Sequence, residues 1–154
     1  MRRRTIALLI VLLFTDALLW AGIGTHEAMY VGGTVNALKE RTEGKPVLAE
    51  NTFVFQYKKT HWEVPYERIN SLEYGQKAGR RVGLAIAINP FFLFSHKRKH
   101  FLTIGFLDDA NKQQAAVFEL GKSVIRPTLR ALEAKTGKKV DFEDAEARKA
   151  GIGN

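Results

Sequence analysis

The sequence predicts an α+β domain that is mostly β: a curved antiparallel sheet or partly open barrel with one C-terminal amphipathic helix. An N-terminal hydrophobic signal or anchor helix is expected to precede it. Three observations carry this. Apolar residues alternate with polar ones at Phe53, Phe55 and Tyr57 and again at Leu102, Ile104 and Phe106, the period of a half-buried strand. The period changes to that of a helix once, late, at Ile125, Leu129 and Leu132. And Arg2-Arg3-Arg4 leads almost directly into Ile6 to Phe14, nine residues that are all apolar. A chain of 154 residues fits one domain with a short extra segment. It contains no cysteine, which excludes disulfides, thiolate metal sites, a cysteine nucleophile and a lipidated N-terminal cysteine.

Residues 1–24 have the layout of an export signal, a basic start followed by an apolar core. Gly22 and Gly24 supply small residues for cleavage before Thr25, although the Ala-x-Ala form is missing. The second reading is an uncleaved anchor. Ile6 to Gly24 is 19 residues, just enough to cross a bilayer core of about 30 Å. Asp16 then costs roughly 2.5–3.5 kcal/mol near mid-membrane, offset by the leucines and isoleucines around it. Either way the rest of the chain is expected in the periplasm or cell envelope, or held at the inner membrane by residues 6–24. Residues 25–154 keep a net charge of +6, because the first 24 hold three arginines and one aspartate.

The elements of the domain, residues 25–140, follow in order. Met29 to Leu38 mixes apolar and small residues, with Gly32-Gly33 marking a bulge or close crossing. Lys39 to Lys45 is charged, contains Gly44, and reads as a turn or loop. Phe53 to Tyr57 and Trp62-Glu63-Val64, separated by polar residues, form a hairpin; Ile69 to Tyr74 adds a strand after Pro65. Phe101 to Phe106 and Ala116 to Leu120 make a second hairpin around the turn Asp108 to Lys112. The helix over Ile125, Leu129 and Leu132 starts at Ser123 or nearer Pro127, and Gly137 stops it. Val140-Asp141-Phe142 reads as a short extended piece, and residues 141–154 otherwise read as a charged, flexible tail.

In this order of elements the sequence resembles a pleckstrin-homology-type domain, as found in a group of small, uncharacterised bacterial exported proteins. The wording that carries the resemblance is Trp62-Glu63-Val64-Pro65-Tyr66 leading to Ile69-Asn70-Ser71-Leu72-Glu73-Tyr74-Gly75. Lys97-Arg98-Lys99-His100-Phe101-Leu102-Thr103-Ile104 and Ala116-Val117-Phe118-Glu119-Leu120-Gly121-Lys122 complete it, over roughly residues 29–140. The chain departs from inositide-binding members at two places. Lys39, Arg41 and Lys45 are diluted by Glu40 and Glu43, and residues 123–137 hold no tryptophan. Inositide binding is therefore not carried over, and the resemblance implies a fold rather than an activity.

One surface stands out. Val82 to Phe94 is thirteen residues without a charge, flanked by Arg80 and Arg81 on one side and by Lys97, Arg98 and Lys99 on the other. As a helix it would span only about 20 Å, and Pro90 breaks it. An apolar finger with cationic shoulders suits insertion at an anionic membrane surface, where each cation adds on the order of 1 kcal/mol. The contact residues expected are Arg80, Arg81, Phe91, Phe92, Phe94, Lys97, Arg98 and Lys99; the partner is an anionic membrane or an unidentified protein. The alternative is a structural or scaffold envelope protein in which residues 82–94 are internal.

No G-x-S-x-G, phosphate loop or dinucleotide fingerprint occurs, and no carboxylate pair is singled out by spacing. His96 and His100 are four apart, but cations lie between them and the sequence runs into a strand. Asp141, Glu143, Asp144 and Glu146 lack the glycine and spacing of a calcium loop. The expectation is a non-enzymatic binding module with no metal, no cofactor and no nucleic-acid partner, despite a pI of 9.8. The oligomeric state is left open.

Overall fold

The computed structural model of the chain describes residues 27–76 and 99–153. The strands are β1 (Ala28–Gly33), β2 (Thr42–Leu48), β3 (Thr52–Tyr57), β4 (Thr60–Pro65), β5 (Ile69–Gly75), β6 (Phe101–Leu107), β7 (Gln113–Leu120) and β8 (Val140–Phe142). Two helices follow the seventh strand, α1 (Ile125–Thr136) and α2 (Ala145–Ile152). The eight strands form one sheet in the order β4-β3-β2-β1-β7-β6-β5-β8, antiparallel throughout except between β5 and β8. Its two ends, β4 and β8, do not pair with each other, so the sheet is open. The mostly-β expectation stands, and of its two forms, a sheet or a partly open barrel, the strands make an open sheet.

Both expected hairpins form. Phe53 pairs with Val64 and Phe55 with Trp62, while Leu102 pairs with Phe118 and Ile104 with Ala116. Alternation places Tyr30, Phe53, Phe55, Leu72, Ile104 and Phe118 on one face, where Ile125, Leu129 and Leu132 of α1 cover them. Phe118 is the hub of this core, its ring 4.9 Å from Phe55 and within 6.1 Å of Tyr30, Phe53 and Trp62. A smaller cluster of Val31, Phe101 and Val117, with Met29 against it, occupies the opposite face. Pro127 falls in the first turn of α1, where its missing N–H breaks no helical bond. Gly137 ends the helix in the left-handed conformation at φ 68° and donates its N–H to Glu133 O.

Three expectations are corrected. The single C-terminal helix is two. Lys39 to Lys45 is not all loop, because Thr42–Leu48 forms β2 in the middle of the sheet. Pro46 is tolerated because β1 pairs only with Thr42 to Gly44; beyond that, β2 has a neighbour on the β3 side alone. Residues 141–154 are not a loose tail. Val140–Phe142 adds to β5 in parallel, and Asp144 caps α2 by accepting from Ala147 N at 2.7 Å. Helix α2 docks through small residues: a Cβ on Gly151 would stand 2.6 Å from the Phe142 ring and 3.0 Å from Leu129.

Candidate functional site

Register brings one end of β1, β7, β6, β5 and β8 to a common rim. Ala28 lies opposite Leu120, Glu119 opposite Phe101, Phe101 opposite Gly75, and Tyr74 opposite Phe142. Hydrogen bonds knit the rim together. Leu120 N donates to His100 O at 2.7 Å and Gly121 N to Glu27 O at 2.8 Å, while Gln76 N donates to Glu143 Oε2 at 2.7 Å. The chain enters the described fold here from residue 26, and residues 77–98 connect Gln76 back to Lys99 at the same rim. Glu27, Gln76 and Lys99, the described residues nearest in sequence to the two apolar stretches, thus share this rim.

The rim is also where basic groups gather. Lys99 Nζ holds Glu119 Oε2 at 2.9 Å, both side chains half-buried. His100 lies parallel to Tyr74, ring planes 6° apart, with its Nδ1 2.7 Å from the Tyr74 hydroxyl. Burial pushes the Tyr74 phenol up to about 12, so it stays protonated in this contact. Burial, and next the Lys122 charge, hold the His100 pKa below its ordinary value; Glu119 opposes them. Next to this imidazole a cavity of 410 Å³ opens, lined by Lys122, Ser123, Arg126 and Pro127 at the start of α1 and closed by Ala150 of α2. Arg126 donates Nε to Ala150 O at 3.4 Å.

Two further cavities differ in character. One of 230 Å³ on the same rim is lined by Glu27, Glu43 and Glu119; burial raises the Glu27 pKa and the Lys45 charge lowers it. The other, 650 Å³, lies between Tyr66 and the end of α1, where Lys135 stands 5.4 Å over the Tyr66 ring and donates to Glu50 O at 3.2 Å. Among the described residues no group of three or more His, Cys, Asp or Glu is placed to hold a metal ion.

Of the residues expected from the sequence, Arg80, Arg81, Phe91, Phe92, Phe94, Lys97 and Arg98 lie outside the described residues, as do residues 1–24. Lys99 is described, and its pairing with Glu119 makes it less free than its neighbours in sequence implied. His100, Lys122 and Arg126 were not singled out as site residues; only strand register brings them together. Ser123, a candidate cap, makes no capping hydrogen bond, since α1 starts from Val124 without a side-chain cap. Among the described residues no helix is long and apolar enough to cross a membrane. Compared with known proteins, the chain matches no family model and no curated protein.

Proposed function

We propose that the chain is a non-enzymatic, envelope-located binding module of pleckstrin-homology type that contacts an anionic membrane surface through residues 80–100. One observation carries the reading: Glu27, Gln76 and Lys99, the residues at which both apolar stretches join the fold, share a single rim. A rim that carries residues 6–24 toward a bilayer presents residues 82–94 to the same bilayer. The antiparallel run β1 to β7 followed by α1 supports the pleckstrin-homology comparison; β8 and α2 are additions to it. Lys122 and Arg126 add cations on the same side.

The test is vesicle binding by the full chain, comparing neutral with anionic vesicles at low and high salt. The readout is the extra binding on anionic vesicles, which cancels any contribution from residues 6–24 alone. Replacing Arg80, Arg81, Lys97 and Arg98 with glutamine is expected to reduce that extra binding about fivefold per cation. Lys99→Gln should cost least, because Glu119 already holds Lys99. An anionic preference unchanged by all five substitutions overturns the proposal. Phe92→Asp tests the scaffold alternative: a folded variant with weakened binding supports the contact surface, and an unfolded one supports an internal segment.

A further inference from the structure

We infer that the cavity framed by His100, Lys122, Ser123 and Arg126 is a binding site for a phosphate group. The assignment uses none of residues 80–98 and stands apart from the contact surface proposed above. Its basis is four donors of different kinds around one 410 Å³ space. The His100 imidazole comes from the lead-in to β6, the Lys122 ammonium and Ser123 hydroxyl from the β7–α1 link, and the Arg126 guanidinium from α1. Donors arriving from three segments suit a tetrahedral anion better than a planar carboxylate, which one arginine fork would satisfy.

The charge balance points the same way. Glu119, the carboxylate that acts on His100, is held by Lys99 at 2.9 Å. Glu143 accepts from Gln76 N at 2.7 Å on the side of the rim toward β8. Arg126 donates Nε to Ala150 O with its guanidinium beside Gly153, and Lys122 has no partner among the described residues. Tyr74 fixes the imidazole plane from β5 by engaging Nδ1, which leaves Nε2 as the ring nitrogen not engaged by Tyr74. The groups acting on His100 are therefore Tyr74 from β5, Glu119 from β7 and Lys122 from the link, while Arg126 from α1 lines the same cavity and acts on Tyr74. A phosphate entering here adds negative charge beside an imidazole that burial and Lys122 keep neutral, and so favours its protonation. The cavity exceeds a bare phosphate and leaves room for the group that carries it, which fits a phosphate ester from a lipid headgroup or from a soluble metabolite.

The experiment follows the His100 side chain by NMR in the full chain, held in neutral detergent, while pH is varied. Inorganic phosphate is expected to raise the His100 pKa, and chloride at matched ionic strength to leave it in place. Lys122→Gln should weaken the phosphate effect roughly tenfold or more, the loss of one charge-assisted contact. The Lys122 side chain is exposed, so this variant keeps its fold even if Arg126→Gln does not. Glycerol 3-phosphate and vesicles containing phosphatidate then separate the sources, and a shift with either one supports the site. A His100 titration indifferent to all three probes, or a phosphate shift of equal size in Lys122→Gln, overturns it. A shift that survives while the anionic-vesicle preference is absent fails the surface proposal alone; the reverse pattern fails this one.

Discussion

The two ends of the β1-β7-β6-β5 sheet are built on opposite principles. At the end away from the rim, charged groups are answered locally. Asp108 accepts from Ala110 N and Lys112 N, each at 2.9 Å, and from Gln114 Nε2 at 2.8 Å. Arg68 pairs with Asp109, and Asn70 with Gln113. At the rim, Lys122 and Arg126 surround a cavity whose wall, among the described residues, includes no carboxylate, and His100 beside them is held neutral. An end whose polar groups are already satisfied closes a fold; an end that concentrates donors around open space is available for a ligand.

Perturbing the core both ends share removes the contrast altogether. Phe118→Ala should cost about 3–5 kcal/mol and unfold rim and turn together, read as one urea transition. Gly151→Leu acts on the rim side only. By driving a side chain into Phe142 and Leu129 it should cost about 1–3 kcal/mol and detach α2 from the cavity wall, seen as faster amide exchange in residues 145–152. Tyr74→Phe removes the hydrogen bond to His100 at about 0.5–1.5 kcal/mol and frees the ring to turn, which the His100 NMR signal reports.

Acid separates the two ends without any substitution. The folded-state pKa of His100 lies below 6.5, so the unfolded chain takes up the proton first. Stability from this site is full above about pH 6.5 and falls as pH drops through the folded value. Asp108 is held below 3.8, chiefly by the Lys112 N–H, so the far turn keeps its contribution until pH falls past that range. A urea midpoint followed against pH should therefore decline first in the range of histidine. His100→Gln should remove that first decline and leave the second. Smallest of all, Asp109→Ala breaks an exposed ion pair and should leave the midpoint unmoved.

How much of this was legible depended on whether the signal was local. The hairpins were readable because Phe53, Phe55, Leu102 and Ile104 alternate within a few residues. Strand β2 was not, because Gly44, Pro46 and the charges of Glu43 and Lys45 look like a turn; pairing partners further along the chain, Lys45 with Gln56 and Leu48 with Phe53, decide its conformation. Helix α2 escaped notice for another reason. It buries Ala147 and Gly151, residues too small to mark an apolar period, although Asp144 at its start was a usable capping signal. The candidate site was legible only at Lys99. Tyr74 and His100 are 26 residues apart, and Lys122 and Arg126 meet them only through the β5-β6-β7 register.

The parallel anchorage of two chain segments on one rim has an arithmetic consequence. On the proposed reading, in which residues 6–24 are held in a bilayer, a second contact made by residues 80–100 would no longer compete with dilution in bulk solution. It is governed by a local concentration of millimolar order, typical of short linkers. A contact too weak to measure on a severed domain would then be mostly formed on the tethered one, and its loss would show as a change of orientation rather than of attachment.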